Sequence, residues 1–272
     1  KVDTISENTS ANGVAVDGVT LKDGAVGATG TATSVAGIPF YRGPGDSKSI
    51  YTHDVSGTDN DALFNTGYGL TALDAITTGD ENVALGFAAL SSLTTGTRNI
   101  AIGRQTADEF DTENDNLAIG RSALGGTVAG GEFNVAIGNY SLDALTSADN
   151  NVVIGYEAGG ALTTSGENVI IGSYAVSNGV LTGTQNIAIG RLAGQDLTSA
   201  TQNVIMGWSA ALNATTSDGN TIIGYSAVGA GVFTGNNNVV IGKLAGNDMT
   251  SASQNVLIGE DAGANITTAV AN

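Results

Sequence analysis

The sequence predicts an all-β protein: a β-solenoid or β-roll of about twelve coils, each of roughly 17 or 18 residues, preceded by a small N-terminal β module. Three observations carry this expectation. The pattern Asn-x-x-x-Gly with an apolar centre occurs eleven times between residues 82 and 259. Its copies are offset by 17, 17 and then 18, and this triplet recurs to give a longer period of roughly 52 residues. Glycine supplies 40 of the 272 residues and proline only 2, which suits short strands joined by many tight corners.

Residues 1–36 form the first element. Val14, Val16, Val19 and Leu21 alternate with polar residues, and Asp17-Gly18 and Asp23-Gly24 supply turns, as in a small β module. Residues 37–64 hold both prolines, Pro39 and Pro44, and the lone His53, with little periodicity; they read as a connector. The repeat region spans residues 65–272. It opens on a degenerate copy, Asn65-Thr66-Gly67-Tyr68-Gly69, as a capping coil would.

The full copies run from Asn82 to Gly86, Asn99 to Gly103, Asn116 to Gly120, Asn134 to Gly138, Asn151 to Gly155 and Asn168 to Gly172. They continue from Asn186 to Gly190, Asn203 to Gly207, Asn220 to Gly224, Asn238 to Gly242 and Asn255 to Gly259. Counting from each Asn, positions +1 and +3 are apolar in every copy except at Thr221, and +2 is Ala, Val, Ile or Leu. The run is short, rich in β-branched residues and always ended by Gly, so it is a strand and not a helix. Position +7 is Ala in nine copies, and about four residues later comes a larger group such as Leu93, Phe110, Leu145, Leu162, Leu197, Met249 or Ile266. Turn-forming Thr, Ser, Gly and Asn follow. The Asn and Gly columns are read as corner chemistry. Gly takes the positive φ of a tight corner, and stacked Asn side chains bond to amides of neighbouring coils.

Alternation places +1 and +3 on one side of the strand and +2 on the other. Three consecutive apolar positions therefore require both faces to be covered. A single roll has one interior, so the second face calls for further chains around an axis, and the small Ala at +2 in about half the coils suits close approach there. A solitary solenoid with its own covering segment is the alternative.

Composition removes several classes. With no Cys there is neither a disulfide scaffold nor a thiolate metal site. A net charge of −17 disfavours nucleic-acid binding by bulk electrostatics. With 41% hydrophobic residues the chain is not a disordered acidic tail. No run of about 18 apolar residues exists to cross a membrane. The chain starts at Lys1 without a charged-then-apolar leader, and is expected to be a fragment, a processed chain or a protein exported by another route.

Two stretches carry a family resemblance. The segment DTISENTSANGVAVDGVTLKDG (Asp3 to Gly24) resembles a short module of bacteriophage tail and virion fibre proteins. The NxAIGxxA repeat resembles the arrays of phage tail fibres and is similar to the β-roll heads of the YadA-like trimeric autotransporter adhesins. Together these cover residues 1–24 and 65–272. The resemblance implies a parallel homotrimeric fibre on a virion, extracellular, with itself and other virion proteins as partners and a host surface glycan or protein as a candidate target. A bacterial surface adhesin head is the second reading. A neck, coiled-coil stalk and membrane anchor would accompany an adhesin and are not visible, which favours the phage reading. The endosialidase-type chaperone domain that ends many such phage fibres is not visible either. A polysaccharide-degrading solenoid enzyme is a third and weaker reading, since no coil carries a long insertion that would form a cleft.

Candidate chemistry is sparse, and no cofactor or catalytic group is expected. The acidic run Asp108, Glu109, Asp111, Glu113 and Asp115 lies in one turn; it reads first as a solvated loop and second as a cation site, since its spacing matches no calcium loop. Asp59 and Asp61 read the same way. His53 has no partner for catalysis. Position +5 carries Phe87, Arg104, Arg121, Asn139, Tyr156, Ser173, Arg191, Trp208, Tyr225, Lys243 and Glu260. Variation there, between fixed neighbours, marks an exposed row. Arg104, Arg121, Tyr156, Arg191, Trp208 and Tyr225 are its candidate surface contacts.

Overall fold

The computed structural model describes residues 33–35, 38–40, 49–52, 61–126 and 131–270. Most of the N-terminal module read over residues 1–36, together with His53 and Asp59, lies outside them. Strands β1 (Thr33–Val35) and β2 (Ile38–Phe40) pair antiparallel. The other thirteen strands form one parallel sheet in strict chain order. It starts at β3 (Ile50–Tyr51) and β4 (Thr66–Tyr68), then adds one short strand per repeat from β5 (Val83–Leu85) to β15 (Val256–Ile258). Each coil returns the chain to the same column, so the molecule is a parallel β-solenoid of about twelve turns, with no helix among the described residues. At about 4.8 Å per coil the sheet is roughly 55–60 Å long. It begins one coil before the repeat motif does, inside the stretch read as a connector. Tyr51 pairs with Gly67, and the Ser49 hydroxyl accepts the Asn65 amide at 2.8 Å, as a ladder Asn does higher up.

Strands stack in register, Val83 on Ile100 and Ile100 on Leu117, because each coil closes on itself before the next begins. The Asn column is buried and fixes this closure. The Asn203 backbone N–H donates to Asn186 Oδ1 at 3.2 Å. Asn186 Nδ2 in turn donates to Asn168 Oδ1 at 3.2 Å and to the Ala200 carbonyl at 2.7 Å. Except at Asn151 and Asn168, each amide therefore ties its own coil shut as well as capping the neighbouring coil. The same backbone-to-Oδ1 bond links every neighbouring pair from Asn65 to Asn255.

The Gly column turns the corner after each strand. At Gly190 φ is +136, and a Cβ would lie 2.5 Å from the Gly207 carbonyl oxygen of the next coil. Only glycine fits that approach. Three further positions per coil adopt positive φ with ordinary side chains: the residue before Asn, such as Gln185 or Arg98, position +6, such as Tyr140, and position +8, such as Leu90 or Val176. Val176 and Val228 are β-branched residues held at φ near 50, a conformation that an isolated chain avoids.

The structure reverses one expectation. Position +2 does not face an axis between chains. Ala84, Ala101, Ala136, Val153, Ile170, Ala188 and Ile222 are fully buried in the roll's own interior, against the Ala column at +7 and the larger side chains at +11, such as Leu93, Phe110 and Met249. The outward face carries +1 and +3 instead. The reason lies in core volume. Where +2 is Ala, +8 is Leu in three coils, as in Ala84 with Leu90, Ala118 with Leu124 and Ala136 with Leu142; Ala101 with Ala107 and Ala188 with Gly194 depart from this, and a Cβ on Gly194 would meet Leu197 and Ile205 instead. Where +2 is large, +8 shrinks, as in Val153 with Gly159, Val240 with Gly246 and Ile205 with Ala211. The two positions compete for one space: a Cβ on Gly159 would lie 3.2 Å from Val153 Cγ1, and one on Gly246 3.2 Å from Val240 Cγ1. Interiors this dense leave no slack for both to be large.

The coils that are longer by one residue obey a variant of the rule. In those starting at Asn168 and Asn220, +11 is Gly179 or Gly231, and the buried bulk moves to +13, at Leu181 and Phe233. The vacated +11 space lets +2 and +8 both be large there, as in Ile170 with Val176 and Ile222 with Val228.

Candidate interaction surface

The outer face of the sheet is four columns wide. Rows +1 and +3 run down its middle. They are apolar everywhere except Thr221 and are partly or fully exposed along the whole rod, from Leu85 at 43% and Ile100 at 40% to Ile258 at 67%. The residues before each Asn flank them on one side, and row +5 on the other. The stripe recurs in all eleven coils, and contiguous apolar surface on this scale marks an interaction site.

The flanking rows differ in chemistry. On the side before Asn, polar groups pair along the rod. Arg98 meets Asp115 at 2.6 Å and 2.7 Å, which holds the Asp115 carboxyl below its ordinary range, and Gln185 donates to Glu167 at 2.9 Å. Row +5 is exposed, as expected of it, at Arg104, Arg121, Tyr156, Arg191, Trp208 and Tyr225. The structure adds two +6 residues, Tyr140 and Tyr174, that reading +5 alone missed. Tyr140 stacks edge-on to Tyr156 at 6.2 Å, Tyr156 to Tyr174 at 5.4 Å and Trp208 to Tyr225 at 5.2 Å. Arg104 lies 5.9 Å from the Phe87 ring, Arg121 5.3 Å from Tyr140 and Arg191 5.9 Å from Trp208. Lys243 instead pairs with Glu260 at 2.7 Å. The Tyr156 phenol is pushed up to about 12 by its hydrogen bond to Glu157, with smaller effects of desolvation and of the Glu157 charge. Beside these rings a shallow cleft of about 210 Å³ is lined by Tyr140, Asp143, Glu157, Gly160 and Ser177.

The acidic run does not converge. Glu113 is buried and its Oε2 accepts the amides of Asp111 at 2.6 Å and Thr112 at 3.0 Å, a local turn clamp. Asp115 belongs to Arg98. Asp111 accepts the Thr94 hydroxyl, Glu109 is exposed, and half-burial raises the Asp108 carboxyl above its ordinary range. Asp61 is exposed. Among the described residues no three His, Cys, Asp or Glu side chains come together as a metal site would require, and no helix is long and apolar enough to cross a membrane. Compared with protein families, with curated proteins and with solved structures, the chain matches none.

Proposed function

We propose that this chain is a shaft segment of a homotrimeric virion fibre, a phage tail or capsid fibre that holds adsorption groups away from the particle. The observation that supports it best is the apolar stripe of rows +1 and +3, interrupted among the eleven copies only at Thr221. A stripe of that size in water favours association, and its uniformity along the rod favours a partner of the same length and period, which is another copy of the chain. Parallel copies around a closed axis bury the stripe without leaving an open end for indefinite growth. The number three rests on the likeness of the NxAIGxxA array to trimeric fibres. The role is mechanical, since each coil contributes the same backbone pairing and the same buried column. Self, other virion proteins and, at an adsorption site, a host glycan or protein are the partners in this reading.

Sedimentation equilibrium tests it. The expected mass is three times 27.0 kDa. Replacing Ile171 and Ile189 together by Glu, on the outward face, is expected to yield single chains that keep the β-sheet circular dichroism signal. Ala188→Glu, inside the roll, is expected to lose that signal. A wild-type protein that sediments as one chain overturns the proposal.

A further inference from the structure

We infer that row +5, with Tyr140 and Tyr174 beside it, is a linear binding rail for an acidic polysaccharide. The first observation is where the cations are. The chain carries a net charge of −17, and only five Lys or Arg lie among the described residues from 49 to 270. Arg98 and Lys243 are neutralised by Asp115 and Glu260. The remaining three, Arg104, Arg121 and Arg191, all sit in row +5, exposed, each with an aromatic ring as its neighbour and no ion pair to a carboxylate among the described residues. Guanidiniums gathered in this way on one edge of an acidic rod mark that edge for an anion.

The second observation is the aromatic run between and beyond them. Tyr140, Tyr156 and Tyr174 form one edge-to-face ladder and Trp208 with Tyr225 another. Neighbouring rings stand at 86°, 72° and 82°, so flat faces and edges alternate along the rod. Successive coils rise by about 4.8 Å, close to the advance per sugar of an extended polysaccharide, so within each of these two ladders one ring is available per sugar. Faces of this kind take the C–H side of a pyranose, and the cleft bounded by Asp143, Glu157 and Ser177 beside Tyr140 offers acceptors for its hydroxyls.

The same layout argues against a nucleic acid. Three such cations spread over several coils cannot match one phosphate per nucleotide, and the carboxylates of the cleft call for an uncharged, hydroxyl-bearing unit beside Tyr140. A polymer that is charged only at intervals fits both the guanidiniums and the rings between them. This inference deepens the fibre proposal by giving the shaft a ligand. It stands separately from chain number, which is measured in the same samples.

Trp208 is the sole tryptophan, so its fluorescence reports directly on the rail. The full chain is titrated with four acidic probes charged only at intervals (oligomers of hyaluronan, unsulfated chondroitin, gellan and xanthan), with neutral dextran, and with an oligothymidylate. At least one acidic glycan is expected to quench or shift Trp208 emission, more weakly as salt rises. Replacing Arg104, Arg121 and Arg191 together by Ser is expected to weaken that binding at least tenfold with the sedimentation mass unchanged. Tyr156→Ala and Tyr174→Ala together are expected to weaken it severalfold. Binding of none of the four acidic glycans overturns the inference. So does a triple Ser variant that binds as well as wild type, or an oligothymidylate that binds more tightly than every glycan. Protection of Trp208 from acrylamide in the free protein also overturns it, because the row would then be buried between chains.

Discussion

Replacing Asn186 by Ala removes one rung of the amide ladder without altering any outward group. Its Oδ1 accepts the Asn203 N–H at 3.2 Å and Asn203 Nδ2 at 3.0 Å, while its Nδ2 reaches the Ala200 carbonyl at 2.7 Å. Some partners survive the loss. Asn203 Nδ2 keeps the carbonyls of Thr201 and Ser217, and Asn168 Oδ1 keeps the Asn186 amide. Two buried groups do not: the Asn203 N–H and the Ala200 carbonyl lose their acceptor and donor in an interior closed to solvent. At about 1–3 kcal/mol for each unsatisfied group, the expected cost is roughly 4 kcal/mol. Hydrogen exchange reads this locally, which suits a repeat protein better than a single melting temperature. Exchange at the Asn203 amide should speed by about 1,000-fold, while amides near Asn82 change little. Asn186→Asp keeps the acceptor for Asn203 but turns an anionic oxygen toward the Ala200 carbonyl and should be worse at neutral pH. An Asn186→Ala protein within about 1 kcal/mol of wild type, with the Asn203 amide unchanged, would refute the idea that the ladder closes the coils.

Gly246→Leu alone should destabilise strongly, since even a Cβ there would lie 2.5 Å from the Met249 sulfur and 3.2 Å from Val240 Cγ1. Adding Val240→Ala recreates the Ala84 with Leu90 pairing of the equivalent coil and should recover more than about 1 kcal/mol in urea unfolding. An additive double variant would contradict the shared-volume rule. Half-burial raises the Asp143 and Asp108 carboxyls above their ordinary range, so the folded chain holds those protons more tightly than the unfolded one. Their contribution is fully present below the unfolded pKa and is lost as pH rises through the folded value. Asp143→Asn should therefore raise thermal stability at pH 7 and leave it nearly unchanged near pH 3, as paired melting curves would show. Equal shifts at both pH values would contradict the assignment.

Much of the fold was legible because its signals are columnar. The Asn and Gly spacing, the apolar triplet and the Ala at +7 each recur at one position per coil. What alternation does not reveal is which face looks inward. Ala188 and Ile189 both read as buried, yet only Ala188 is enclosed within its own chain. A signal was present: +2 varies in size and in most copies does so against +8, as interior positions do, whereas +3 is Ile in nine of eleven copies. The left-handed residues before Asn and at +6 and +8 were hidden because most are not glycine; Gly159, Gly194, Gly219, Gly246 and Gly263 alone hinted at them. On the surface, reading +5 as a single row found the arginines but missed Tyr140 and Tyr174, which meet that row only because a corner brings +5 and +6 of adjacent coils together.

The wider coil that comes third in each block has a genetic corollary. Its displaced plug at Leu181 or Phe233 bridges to Leu162 or Ala214 of the preceding coil. A recombination slip of a single coil would set such a plug beside a neighbour shaped for a different one. A slip of one whole block restores every partner. Reach should therefore evolve in increments of three coils, roughly 14 Å each, with a cross-section that never changes.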